Sequence, residues 1–131
     1  MSYLIGIDLG GTNIKAASLS LSGDVLSALS CATDDREHGT FPGRVGELVE
    51  RLERAQGTAA RAIGLAAPGL ASPDGRSIAI MPGRLHGLQG LHWTSALKSK
   101  VPLAVINDAH AALLGEVWRG AAIDCRHVFL L

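Results

Sequence analysis

The chain has 131 residues, 47% hydrophobic and 18% charged, which suits one compact domain, since two would each be unusually small. Twelve basic residues balance twelve acidic ones, so no net field draws the chain to nucleic acid or to an anionic membrane. Met1-Ser2-Tyr3-Leu4 lacks a basic region and Asp8 interrupts the first apolar run, so neither a signal peptide nor a membrane span is expected, and Cys31 and Cys125, in no metal-ligand spacing, suit a reducing cytoplasm.

Tyr3 to Asp8 is a short apolar run ending at a glycine pair, and Asn13 to Leu21 alternates apolar with polar residues. The two are expected as strands joined by a tight turn over Leu9 to Thr12. Ser22-Gly23-Asp24 makes a second turn into a third strand, Val25 to Ala32, which completes an antiparallel meander. No helix follows the first glycine-rich turn, which argues against a Rossmann site, where that turn must feed a helix carrying the pyrophosphate. Asp34 to Gly39 is polar loop. Phe41, Val45, Leu48, Val49 and Leu52 recur at helical spacing and predict a helix with one buried face, stopped by Gly57. Arg61 to Ala66 is expected as a buried strand, broken by Ala67-Pro68-Gly69.

Residues 70 to 92 are rich in Gly and Pro and predict a long surface excursion with a turn at Pro73-Asp74-Gly75. Thr94 is placed as the cap of a short helix ending near Ser99, and Leu103 to Ile106 as the next strand, entered from Pro102. Ala112, Leu113 and Val117 predict a helix from Ala109 to Trp118 that stops at Gly120, and Val128 to Leu131 is expected to begin a further strand.

Asp8-Leu9-Gly10-Gly11-Thr12 has the parts of a phosphate site. Glycines let backbone amides approach an anion, the threonine hydroxyl adds a donor, and Asp8 at the strand end can hold magnesium through water. The alternative is an ordinary glycine hairpin with an exposed aspartate. The flanking strands, the acid directly before the turn and a second acid at another strand end favour phosphate. That second acid, Asp108, follows a buried strand and opens a helix, so its carboxylate projects into a crevice near a positive helix end. A kinase acting on an alcohol needs such a carboxylate to accept the hydroxyl proton, with magnesium to spread the developing charge. Helix capping is the alternative use of the residue.

His38, His86, His92, His110 and His127 show no metal-ligating helical pairing and are expected to be mostly solvated, with His110 a half-exposed helix residue near the crevice. Trp93 and Trp118 are expected in the core, and Arg84 is either solvent-facing or a contact to ligand hydroxyls. The chain has no P-loop signature, no nucleophile elbow and no Cys/His pairing, which removes the P-loop and hydrolase classes.

Three segments together resemble the bacterial ROK sugar kinases, which belong with hexokinase and actin in the actin-like ATPase superfamily. They are Gly6-Ile7-Asp8-Leu9-Gly10-Gly11-Thr12-Asn13-Ile14-Lys15, Gly64-Leu65-Ala66-Ala67-Pro68-Gly69 and Val105-Ile106-Asn107-Asp108-Ala109-His110-Ala111-Ala112, in the family's order and approximate spacing. The resemblance implies an α/β, ribonuclease H-like (actin-like ATPase) domain, its mixed five-stranded sheet opening with a three-stranded antiparallel meander and carrying helices packed on it. It implies that Asp8, Gly10, Gly11, Thr12, Asn13 and Lys15 form the hairpin that holds the ATP phosphates, with Mg2+ held by Asp8 through water. It further implies that Asp108 is the base that activates the sugar hydroxyl, that Pro68, Gly69, Asn107 and Asp108 line the sugar pocket, and that the Pro82 to Trp93 stretch lies over the sugar. The implied ligands are ATP and a hexose or amino sugar.

The chain departs from the family pattern where Pro82-Gly83-Arg84-Leu85 replaces a usual Pro-Asn-Leu, which puts Arg84 near the place of a sugar-binding asparagine, and where His110 replaces the asparagine of Asn-Asp-Ala-Asn. It ends at Phe129-Leu130-Leu131, where the family runs on into a second glycine-rich loop. Residues 1–120 are therefore expected as an N-terminal lobe and 121–131 as the start of a second, with the adenosine pocket and a cysteine-rich zinc motif beyond. One lobe leaves a cleft with one wall, so catalysis by these residues alone is not expected. The apolar final strand would expose an edge and predicts a homo-oligomer. The competing readings are a sugar-sensing transcriptional regulator of the same family, disfavoured because Asp8 leaves no room before it for a helix-turn-helix domain, and a non-catalytic binding module.

Overall fold

The computed structural model of the protein describes residues 1–36 and 39–131. β1 (Tyr3–Leu9), β2 (Asn13–Ser20) and β3 (Val25–Ala32) form the expected meander. They are followed by α1 (Phe41–Gln56), β4 (Ala62–Ala67), a small hairpin of β5 (Leu70–Ala71) and β6 (Ile78–Ile80), α2 (Trp93–Ala96), β7 (Leu103–Asn107) and α3 (Asp108–Arg119). The main sheet has the order β3-β2-β1-β4-β7, with β2 antiparallel to both neighbours and β1, β4 and β7 mutually parallel. The mixed five-stranded sheet implied by the family resemblance is the one observed. Glu37 and His38, the latter expected to be solvated, lie outside the described residues.

Strand alternation decides which face is filled. Tyr3, Ile5, Ile7 and Leu9 of β1, Ile14 and Ala16 of β2, Ile63 and Leu65 of β4 and Val105 of β7 are buried in one core with Phe41, Val45, Leu48 and Leu52 of α1. Each large aliphatic side chain in that layer contributes about 1.5–3 kcal/mol by leaving water. Gly57 ends α1 at φ 73°, donating its amide to the Glu53 and Arg54 carbonyls in a left-handed C-cap. The opposite face of the sheet carries Gly6, Asp8, Lys15, Ala17, Ala28 and Ala66, which line an open hollow of about 550 Å³. α3 reaches this hollow through Ala111 and has no buried residue, leaving Leu114 and Trp118 about half exposed.

Other expectations are corrected where tertiary contacts outweigh local signals. α2 is capped by His92, not Thr94, because Nδ1 of His92 accepts the Ser95 amide, and the helix stops at Ala96. Residues 70 to 92 are more than a surface excursion: Ile78, Leu85 and Leu88 are fully buried, and the Val105 amide donates to the Gly75 carbonyl at 2.7 Å, so the segment covers the outer edge of β7. Trp93 is buried as expected, its ring 6.2 Å from that of Phe41. Trp118 is not in the core, for its ring stands over Gly23 on the face that α3 leaves open. Residues 128 to 131 form no strand, since a strand requires a ladder partner and no described segment supplies one.

The two faces differ in energetic weight, and a pair of truncations separates them. Leu48→Ala should cost about 2–5 kcal/mol in urea unfolding, whereas Leu114→Ala should change stability by no more than about 0.5 kcal/mol. A large loss for Leu114→Ala would show that α3 packs more tightly than described.

Candidate functional site

Three loops meet because three parallel strands end together. Asp8 of β1 pairs with Ala66 of β4, and Ala66 and Ala67 of β4 pair with Ile106 and Asn107 of β7. The carboxyl ends of these strands therefore share one edge of the sheet, the place where open α/β sheets receive ligands. That edge carries the Gly10-Gly11-Thr12 turn, the Pro68-Gly69 bend and the Asn107-Asp108 junction.

The first turn is tight and is tied from behind. The Gly10 amide donates to the Asn13 carbonyl at 3.0 Å, and a side chain at Gly10 would come within 2.8 Å of that same oxygen, so only glycine fits. Thr33, fully buried just past β3, donates its hydroxyl to the Gly10 carbonyl at 2.6 Å and its amide to the Thr12 carbonyl at 2.9 Å. The amides of Gly11 and Thr12 and the Thr12 hydroxyl have no partner among the described residues. Successive unbonded donors at a glycine turn are an anion-binding arrangement. Sequence reasoning missed Thr33; its one signal is a threonine placed where β3 ends level with the turn.

Asp8 and Asp108 line one hollow of about 510 Å³ together with Ala66, Ala109, Ala111 and Ala112. Both carboxylates belong to exposed residues. Capping of α3 falls to Asn107 rather than Asp108: Oδ1 of Asn107 accepts the amides of Ala109 and His110 at 3.0 and 3.2 Å. Nδ2 of Asn107 donates to the Gly69 carbonyl at 2.7 Å, which leaves one amide hydrogen for a ligand. Asp108 is the first helical residue, its Oδ1 accepting only the Ala109 amide at 2.9 Å, and its carboxylate stands in the positive field of the helix start.

Gly69 has φ 97°, and a side chain there would come within 2.5 Å of the Ile80 carbonyl, so the bend after half-buried Pro68 also requires glycine. Lys15 lies opposite Asp8 across the β1–β2 ladder and is exposed on the open face of the sheet, and Asn13 is exposed at the start of β2. His110 is exposed on the first turn of α3. Arg84 is brought to Gly11, while Met81 of the same loop lies beside Gly69. Among the described residues no three His, Cys, Asp or Glu side chains gather as a metal cage. Mg2+ at this edge would therefore rest on Asp8, water and the oxygens of its ligand, which is the usual sparse protein coordination of that ion.

Asn107 holds the junction in place, and two variants divide its duties. Asn107→Ala removes both the cap and the tie to Gly69 and should lower stability by about 1–3 kcal/mol; Asn107→Asp keeps the capping oxygen and should lose less. Equal losses in thermal unfolding would contradict the capping role.

The profile of the ROK family matches residues 4–131. Glucokinase of Halalkalibacterium halodurans is 29% identical over an alignment 140 positions long, which covers 98% of this chain and 40% of that protein. Kanosamine kinase of Amycolatopsis mediterranei is 30% identical over 135 positions, covering 98% of this chain and 42% of that protein. The crystal structure of a ROK family glucokinase from Streptomyces griseus in complex with glucose and AMPPNP superposes with a TM-score of 0.81 at 25% identity, over 94% of this chain and 38% of that one. The chain spans about two fifths of the length of the curated relatives it matches. With the profile matched over nearly every residue and the same fold in solved relatives, this chain belongs to the ROK family.

Proposed function

We propose that the chain is the N-terminal lobe of an ATP-dependent kinase that phosphorylates a hydroxyl group of a hexose or amino sugar. The observation that carries the reading is the convergence of Asp8 and Asp108 on one hollow beside the unbonded donors of the Gly10-Gly11-Thr12 turn. The names of the relatives and the glucose and AMPPNP held by one of them support both ligands.

In this reading Asp108 accepts the proton of the sugar hydroxyl while that oxygen bonds to the terminal phosphorus of ATP and the bond from phosphorus to the ADP oxygen breaks. The amides of Gly11 and Thr12 and the Thr12 hydroxyl hold phosphate oxygens, and Asn13 and Lys15 add a polar group and a positive charge along the same hairpin. Mg2+, when bound, neutralises charge that builds on the phosphates. Asp8 orients it through water. On the sugar side stand Pro68, Gly69 and the remaining amide hydrogen of Asn107. Residues 1–120 form this lobe and 121–131 begin the next, which supplies the adenosine pocket and any zinc site. The cytoplasm is the proposed place of work, where ATP is at hand and the free thiols of Cys31 and Cys125 stay reduced.

Self-association is part of the proposal, on a different footing from an edge strand. The open sheet face and the exposed Leu114, Val117 and Trp118 are apolar, and the net charge of zero opposes no contact. Sedimentation of the chain at rising concentration should show dimers or larger species; a strict monomer throughout would rule this out.

In a complete kinase carrying this chain as its N-terminal part, Asp108→Asn should lower turnover by ~100-fold or more while sugar binding persists. Turnover preserved within a few fold would remove Asp108 from the role of base.

A further inference from the structure

Arg84 stands where the family pattern has an asparagine on the sugar side, yet its guanidinium is folded against the phosphate turn. A Cβ at Gly11 would meet Nη2 of Arg84 and lie 2.9 Å from its Cζ and 3.4 Å from its Nε. The absence of a side chain at Gly11 is therefore what lets the guanidinium approach the turn backbone. Arg84 is exposed and makes no hydrogen bond or ion pair with the described residues. Arg36 and Arg44, by contrast, are both paired with Asp34, and the Asp35 carboxylate is engaged by the Leu85 amide at 3.0 Å.

The backbone that presents Arg84 is tied at Met81 before it and at Leu85 after it. Before it, the Met81 amide donates to Oε1 of Gln89 at 3.0 Å, and Gly83 takes φ 82°. After it, Leu85 is fully buried with φ 50°, a conformation that L side chains adopt only when their surroundings impose it. Leu85 is fixed further by its amide bond to Asp35 and by its carbonyl, which accepts the Leu88 amide at 2.9 Å. An uncommitted cation thus lies against Gly11, in the turn whose Gly11 and Thr12 amides are unbonded.

We propose that Arg84 is a phosphate-binding residue, holding the nucleotide's phosphate chain together with the Gly11 and Thr12 amides, rather than a sugar contact. The inference rests on the kinase reading, which makes the turn a phosphate site. A planar guanidinium presents two parallel N–H donors that match two oxygens of a phosphate or of adjacent phosphates. A neutral asparagine there would offer two N–H groups on a single nitrogen and no charge. Arg84 thereby biases this hairpin toward ligands with a terminal di- or triphosphate.

The test is an NMR titration of the 131-residue chain with inorganic pyrophosphate, ATP and glucose in turn, following the backbone amides of Gly11 and Thr12 and the Nε–Hε signal of Arg84. Pyrophosphate and ATP should move all three, and Arg84→Ala should weaken pyrophosphate binding by about tenfold, with Arg84→Lys recovering part of the loss. The remaining amide signals report that each variant keeps its fold. Unchanged pyrophosphate affinity in Arg84→Ala, with Gly11 and Thr12 still responding, would overturn the proposal and leave the phosphate turn standing. Movement of the Arg84 signal by glucose alone would return the residue to the sugar side. No response of Gly11 and Thr12 to either phosphate ligand would overturn the phosphate turn and the role of Arg84 with it.

Discussion

The ladder that joins β1, β4 and β7 in parallel sets the position of everything else at the site. Its register puts Asp8 level with Ala66 and Ala66 level with Ile106, so the loops that follow these strands begin at the same height. Parallel strands need crossover connections, and here the first is α1, whose apolar face fills one side of the sheet. A slip of β1 by a single residue against β4 would turn its alternation over and bring the carboxylate of Asp8 to the side occupied by α1. The burial of Ile5, Ile7, Ile63, Leu65 and Val105 on that side resists such a slip. Core packing and site geometry are therefore consequences of the same register.

Polar groups divide into those that build the edge and those left for a ligand. Thr33 occupies the carbonyls of Gly10 and Thr12, and Asn107 occupies the start of α3 and the Gly69 carbonyl. Buried or half-buried side chains serve these structural ends. The amides of Gly11 and Thr12, the Thr12 hydroxyl and most of the oxygen surface of Asp8 and Asp108 remain uncommitted toward solvent. Uncommitted donors next to uncommitted acceptors, set on rigid strand ends, are the material a phosphoryl-transfer site is made from.

Most of this was legible in the residue order because the strands alternate cleanly and the turns use glycine for cause. The meander, α1 with its Gly57 stop and the broken strand before Pro68 follow from local pattern, and the observed elements match within a residue or two. Legibility failed where long-range contacts decide. The His92 cap depends on how α2 docks, and the burial of Ile78, Leu85 and Leu88 depends on the outer edge of β7 needing cover. Trp118 carries the composition of a core residue but lies on a face with no opposing layer in this chain. At the candidate site, the acids and glycines picked out by spacing are ones that the strand ends bring to one edge, whereas Thr33 acts through a contact spanning 23 residues and the placement of Arg84 against Gly11 spans many more. No local pattern encodes either.

The central claim is that the β1–β2 turn and the β7–α3 junction are two sides of one site for a metal-bound nucleotide. Paramagnetic Mn2+ added with ATP in place of Mg2+ tests it directly, because the ion broadens NMR signals according to distance. The account predicts that the amides of Gly10 to Asn13 and those of Ala109 and His110 broaden together, and that Asp8→Asn reduces both effects. Broadening confined to one of the two segments, or spread over the surface without preference for either, would contradict it.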